Sequence, residues 1–211
     1  MKKIPTLFER DWNGDKSRVT EQTNPLCQWV IDGEGVATQK YDGTACLIEN
    51  GELWCRFDAK NGKHPPANFV GAQPDPDPET GHWPGWVPAG TDSQYKWQRA
   101  AFEDLREISE DGYRADQTLL TAVPDNPMAR FDGTWEAIGP HFQGNPEGAR
   151  KDILVRHGLH KYVAVPLTFA ELKDWLAPQD MEGLVWHHPD GRMAKIKKKD
   201  FGLPRKVTVT A

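Results

Sequence analysis

The 211-residue chain contains no apolar run near the roughly 18 residues that a membrane span requires. Its opening stretch, MKKIPTLFERDW, lacks the continuous apolar core of a signal peptide. These two absences lead to the expectation of a soluble, cytoplasmic protein. Cysteine is scarce as well: Cys27, Cys46 and Cys55 are odd in number and none stands in a Cys-x-x-Cys pair. That excludes a disulfide framework. It also argues against structural zinc, although His187-His188 and the His157/His160 pair have ligand chemistry. An excess of positive charge is missing too, since the formal net charge is -5, which argues against a surface built for nonspecific nucleic-acid binding. The charge is uneven, however. Residues 73–92 carry four acids and no base, whereas residues 192–206 carry seven basic side chains and one acid. The basic end has the chemistry to meet phosphates; the plainer alternative is a solvated charge run.

What is present reads most clearly from residue 44 onward. A chain of this length is expected to form one domain, burying about 70% of its unfolded surface. In TACLIENGELWCRFDAK two runs of strand-forming residues flank Asn50-Gly51, the strongest short hairpin signal. A two-residue turn there pairs Glu49 with Glu52, Ile48 with Leu53, Leu47 with Trp54, Cys46 with Cys55 and Ala45 with Arg56. Alternation then gives Cys46, Ile48, Leu53, Cys55 and Phe57 to a core face and Arg56 to the other. The two cysteines become cross-strand neighbours, expected to stay thiols in a reducing compartment.

Residues 61–91 are so rich in Pro and Gly that they predict a surface excursion without persistent helix or ladder, anchored by Phe69, Trp83 and Trp86. DSQYKWQRAAFEDLREIS predicts a helix capped by Asp92 or Ser93, with a core stripe of Trp97, Ala101, Leu105 and Ile108. TWEAIGP predicts a strand stopped by Gly-Pro. TFAELKDWL predicts a helix opened by a Thr168/Glu171 capping box and ended before Pro178.

MEGLVWHHPDGRMAKIKKKDF predicts a second hairpin, turning at Pro-Asp-Gly. A connection of two or four residues would put Glu182, Lys195 and Lys197 on one side of the sheet, and that register is expected; a three-residue bulged turn would separate them. One acid converging with lysines from several strands is what a polyphosphate with a metal ion needs. Lys40, in KYDGTA, stands where another strand tightens into a turn. Lys-x-Asp-Gly alone decides nothing.

Taken in order, Lys40-Tyr41-Asp42-Gly43, Arg56 in RFDAKNGK, Glu136 in WEAIGP, Glu182-Gly183-Leu184-Val185-Trp186 and Lys195-Ile196-Lys197 resemble motifs I, Ia, III, IV and V of the covalent nucleotidyltransferases, the ATP-dependent DNA and RNA ligases and the mRNA capping enzymes. Each motif is weak alone; five in order across most of the chain are specific. GPHFQGNPEG after Glu136 and TLFERD near the start look most like the RNA ligase branch.

The resemblance implies an α+β fold, an ATP-grasp-like nucleotidyltransferase domain of antiparallel sheets with flanking helices, spanning residues 1–211. It implies that Lys40 attacks the α-phosphate of ATP and holds AMP covalently, its amine made neutral by nearby positive charge. Gln39, Asp42 and Gly43 would flank it in the nucleotide-binding turn, where Asp-Gly also has a purely turn-forming reading. Arg56, Lys195 and Lys197 would neutralise phosphate charge, Glu136 would meet the ribose hydroxyls, and Tyr162 would cover the adenine. For Trp186, plain strand packing is expected. Mg²⁺ or Mn²⁺ would be held by Glu182 and Glu136. Partners would be RNA 5′-phosphate and 3′-hydroxyl ends, engaged by a monomer. Fourteen residues follow Lys197, too few for the C-terminal OB domain of DNA ligases and capping enzymes, which favours RNA sealing over DNA sealing or cap transfer. The alternatives are another nucleotidyl transfer, of capping type or of AMP to a different acceptor, and an inactive nucleotide- or RNA-binding module.

Overall fold

The computed structural model of the protein describes residues 3–60, 64–78, 80–111 and 130–206, without the side chains of 108–111. The chain passes first through β1 (Phe8–Arg10), β2 (Val19–Thr23), the short α1 (Gln28–Ile31) and β3 (Val36–Lys40). Next come β4 (Thr44–Glu49), β5 (Glu52–Ala59), β6 (Val70–Gly71), β7 (Trp83–Pro88), α2 (Lys96–Asp111) and β8 (Gly133–Ile138). Last are β9 (Ile153–Arg156), β10 (Lys161–Tyr162), α3 (Phe169–Leu176), β11 (Gly183–His187) and β12 (Met193–Lys197). Pairings between these strands are antiparallel. With helices so few, the class is α+β. Among the described residues no helix is long and apolar enough to cross a membrane.

The chain forms two compact units. One comprises Gly43–Arg156 with the first three residues; the other comprises Ile4–Asp42 and His157–Ala211.

The first unit is built on a six-stranded sheet of order β6-β7-β5-β4-β8-β9. Its β4–β5 hairpin has the register that Asn50-Gly51 predicts, with Cys46 opposite Cys55 and Glu49 opposite Glu52. Both turn residues have positive φ, 53° and 77°, the conformation that Asn and Gly tolerate best. Cys46, Ile48, Leu53 and Cys55 are buried as expected, and all three cysteines of the chain are free thiols. The Cys46 thiol is held well above its usual pKa by its hydrogen bond with Cys55 and by burial.

The stretch expected to hold no ladder does hold one. β7 pairs with β5 over six residues, from Trp54 opposite Pro88 to Ala59 opposite Trp83, and β6 pairs with β7. The prolines are tolerated because Pro84 and Pro88 stand two strand-repeats apart. The Pro84 carbonyl accepts from Ala72 on the β6 side, while Ala89 donates to Leu53 on the β5 side, so both missing donors face away from β5 and beyond the two-residue β6. Phe69 and Trp83 meet edge to face at 5.2 Å, as anchors should. Residues 61–63 and Glu79 of this stretch lie outside the described residues.

Asp92 caps a 3-10 turn, Ser93–Tyr95, that leads into α2. Ala101, Phe102 and Leu105 enter the core, but Trp97 does not: it is 36% exposed and stacks on His141 at 3.5 Å. The Ile108 side chain lies outside the described residues.

The second unit holds a four-stranded sheet, β10-β3-β11-β12, and the β1-β2 hairpin. One sheet face is apolar. Ala37, Leu184, Trp186, Ala194 and Ile196 pack with Leu172 and Leu176 of α3 and with Leu7 and Phe8 of the amino-terminal segment. Burying each of the larger aliphatic chains contributes about 1.5–3 kcal/mol. Helix α3 starts after Thr168 as expected, but the Thr168 hydroxyl bonds the Glu171 carboxylate at 2.6 Å instead of capping backbone. Residues 5–7 run beside β12, where the Lys195 amide donates to the Pro5 carbonyl and the Leu7 amide to the Lys195 carbonyl.

Candidate active site

The register of the four-stranded sheet sorts its lysines. Gly183 stands between Lys40 on β3 and Lys197 on β12, and Val185 stands between Thr38 and Lys195. Lys40, Lys195 and Lys197 therefore share the face opposite the apolar core. Glu182 does not reach them by the expected register. The β11–β12 ladder ends at His187 opposite Met193, and the His188 amide donates to the Arg192 carbonyl, which leaves the odd three-residue tip Pro189-Asp190-Gly191. Strict alternation would then send Glu182 to the core side. It escapes because it precedes the first ladder residue, in a bend, where side-chain direction no longer alternates.

From that bend the Glu182 carboxylate spans the two lysines that flank Gly183. Its Oε2 accepts from Lys40 Nζ at 2.6 Å, and its Oε1 accepts from Lys197 Nζ. Gly183 is needed for this packing, because a Cβ there would run into the Ile196 carbonyl. The three side chains are mostly shielded, with 21%, 11% and 20% of their surface exposed for Lys40, Glu182 and Lys197.

The electrostatics follow from burial and crowding. Burial pushes the Glu182 carboxyl up, but the Lys40 and Lys197 ammonium groups outweigh it and hold the carboxyl below its ordinary range. Lys195 is brought down to about 8, first by burial and then by repulsion from Lys197 and Lys40. Asp42, just past β3, is raised by burial and by the Glu182 charge, against the pull of Lys197, Lys40 and Arg205. Three lysines meet two acids here, Glu182 and Asp42, and the surplus of positive charge suits a polyanion.

Other expected residues lie elsewhere. Gln39 and Tyr162 do not join the lysines. Tyr162 pairs with Ala37 on the core side, donates its hydroxyl to Gln39 Oε1 at 3.1 Å, and meets Trp175 edge to face at 5.6 Å. Trp186 is buried in the same core, as plain packing predicts.

In the first unit, Glu136 on β8 faces Ala45 on β4, and Arg56 follows Cys55, whose partner Cys46 follows Ala45, so alternation gives Arg56 the same face as Ala45. Arg56 and Glu136 thus lie on one face of the six-stranded sheet with the small Ala45 between them. Glu136 is buried and accepts from the Gly43 amide at 3.2 Å; Arg56 bonds Asp58 at 3.0 Å and lies 5.6 Å from the Trp86 ring.

Comparison with known proteins decides the family. The RNA ligase 1 family model matches residues 66–210, well over half of the chain. The chain belongs to the RNA ligase 1 family. Proteins named RNA ligase 1 from Danio rerio (28% identical), Rattus norvegicus (26%) and Mus musculus (26%) align with 95–96% of this chain and 80–81% of their own length. The family match contains Glu136, Glu182, Lys195 and Lys197 and begins after Lys40 and Arg56.

Among the described residues no group of three or more His, Cys, Asp or Glu side chains is arranged to hold a metal. Of the two acids expected to hold Mg²⁺ or Mn²⁺, Glu182 stands among the lysines and Glu136 on the six-stranded sheet.

The sequence motifs assign no role to Asp200. It is fully buried, accepts from the Lys197 amide at 2.8 Å and pairs with Arg10 at 2.8 Å, so it fixes the end of the strand that carries the lysines. Its signal was there, as the one acid of the basic stretch, placed three residues after Lys197 where a helix-start box puts its acid. Lys198, in the stretch expected to meet phosphates, is buried with its ammonium on the carbonyls of Ala177, Gln179 and Arg205. It is a structural residue.

Proposed function

We propose that this protein is an ATP-dependent RNA ligase that holds AMP covalently on Lys40, transfers it to a 5′-phosphate RNA end and seals that end to a 3′-hydroxyl. The observation that carries the reading is the single Glu182 carboxylate spanning Lys40 and Lys197 beside Lys195. Family membership supports RNA as the substrate class. The chain is read as one nucleotidyltransferase domain.

Only the neutral amine attacks phosphorus, so the Lys40–Glu182 ion pair has to open and the ammonium to lose a proton first. The Nζ lone pair then forms the N–P bond to the α-phosphate while the P–O bond to the β-phosphate breaks, pyrophosphate leaves with that electron pair, and the nitrogen gives its extra proton to water. Lys195 and Lys197 neutralise charge on the phosphate oxygens as the transition state develops. Mg²⁺ or Mn²⁺, when bound, adds charge neutralisation at the same oxygens, and Glu182 is the residue of the cluster that would hold it. Glu136 has the acceptor chemistry for ribose hydroxyls or the metal, and Arg56 the charge for phosphate. Tyr162 is left out of this assignment, because it packs on the core side.

The test follows the label. Protein incubated with α-labelled ATP and Mg²⁺, then freed of nucleotide, should pass AMP to a 5′-phosphorylated RNA and, on nicked or single-stranded RNA, yield a sealed product. Label from GTP in preference to ATP would move the reading to a capping-type transfer, and binding without label to an inactive module.

A further inference from the structure

The second unit has a groove of about 630 Å³ that the nucleotidyl chemistry does not use, lined by Arg10, Lys16, Ser17 and Arg18 on one side and by Lys199, Gly202 and adjoining residues on the other. We propose that this groove binds the phosphodiester backbone of single-stranded RNA, with Trp12 stacking on a base. The inference rests on the ligase reading and names where its RNA is held.

The groove is built from buried and bonded parts. Arg10 is pinned by buried Asp200 at 2.8 Å and by the Ser17 carbonyl at 3.1 Å. Arg18 pairs with Asp15 at 3.2 Å and donates to the Lys199 carbonyl at 3.3 Å. The Arg18 guanidinium fits only because position 202 carries no side chain; a Cβ on Gly202 would occupy its place. The two arginines thereby tie the β1–β2 connection to the turn Lys198–Phe201. Lys16 and Lys199 are exposed and make no ion pair among the described residues, which leaves one open ammonium group on each wall. A groove of this volume exceeds what one phosphate fills.

A second observation points to a nucleic acid rather than to a free polyphosphate. Trp12 lies on the same β1–β2 connection as Lys16 and is 63% exposed, with no place in either core. Its amide donates to the carbonyl of Arg10, a residue of the groove wall, at 2.9 Å, and an exposed indole so near in the chain to cationic side chains is what single strands use, since any base offers a ring to stack. The groove also adjoins the lysine strand: Asp200, which pins Arg10, holds the Lys197 amide.

The test uses the whole protein and a fluorescent oligouridylate without terminal phosphates, titrated over a range of salt without ATP. Each single-strand phosphate contact adds about 0.7 to the slope of log affinity against log salt, or about fivefold in affinity near 0.1 M salt. Lys16→Ala/Lys199→Ala should therefore weaken binding about 25-fold and flatten the slope by about 1.4. Trp12→Ala should weaken binding about tenfold and leave the slope alone. Lys16→Arg/Lys199→Arg should restore the slope, and urea midpoints equal to wild type would show the variants folded. Unchanged slope and affinity in the folded double alanine variant would overturn the proposal. So would loss of tripolyphosphate binding with oligouridylate binding intact. Self-labelling by ATP in the same samples separates the two readings: an unlabelled wild type overturns the ligase chemistry without touching the groove.

Discussion

The two faces of the four-stranded sheet are made by the same strands and answer to opposite demands. On one, Ala37, Leu184, Trp186, Ala194 and Ile196 bury apolar surface under α3. On the other, one residue out of phase along each strand, Lys40, Lys195 and Lys197 crowd around Glu182. The first face gains stability from every side chain it buries. The second places like charges in a shielded site, which lowers the Lys195 pKa to about 8, and so gives up stability for a concentration of positive charge. Alternation along a strand lets one sheet do both.

The comparison can be broken on either face. Ile196→Ala, on the apolar side, should lower unfolding free energy by about 2–5 kcal/mol in a urea titration. A cost under 1 kcal/mol would mean that this face is not the core. On the lysine side, Glu182→Ala and Lys197→Ala should each slow self-adenylation by about a hundredfold or more, roughly 3–4 kcal/mol of transition-state stabilisation, with the fold intact by circular dichroism. Near-normal labelling in Glu182→Ala would remove the bridging carboxylate from the mechanism, and in Lys197→Ala it would remove that lysine.

A smaller effect sharpens the contrast. Lys195 loses its proton near pH 8 when folded and near 10.5 when unfolded, so between those values the unfolded chain holds the extra proton and stability rises with pH. Lys195→Met should abolish that rise, on the order of 1–3 kcal/mol, and should be more stable than wild type at neutral pH while adenylating poorly. A variant less stable than wild type at pH 7 would contradict the crowding argument. The smallest effect concerns Glu182, whose lowered pKa gives stability present above the unfolded value of about 4.5 and lost as pH falls through the folded value. The stability difference between wild type and Glu182→Gln should therefore shrink on acidification, which equilibrium unfolding from pH 7 downward would measure.

The two hairpins show what a sequence can and cannot tell. Asn50-Gly51 admits one loop length, so the pairing of Cys46 with Cys55 follows residue by residue. Pro189-Asp190-Gly191 admits several, and the fold takes the three-residue tip instead of the expected even connection. The odd tip does not separate Glu182 from the lysines, because Glu182 stands before the ladder, where parity has no force. The prolines of β7 misled for a related reason: composition counts them, whereas the sheet responds to which edge they face. The order of motifs along the chain singles out Lys40, Arg56, Glu136, Glu182, Lys195 and Lys197, and the fold brings Lys40, Glu182, Lys195 and Lys197 together. The burial of Lys198 and the pairing of Asp200 with Arg10 depend on which groups the fold delivers to them, and no local pattern encodes that.

The central claim is that Lys40 carries the nucleotide. Protein incubated with ATP and Mg²⁺, denatured, digested and examined by mass spectrometry should show AMP on the peptide containing Lys40 and on no other, and Lys40→Ala should show none. An adduct mapped to a different residue, or one that persists in Lys40→Ala, would contradict the account.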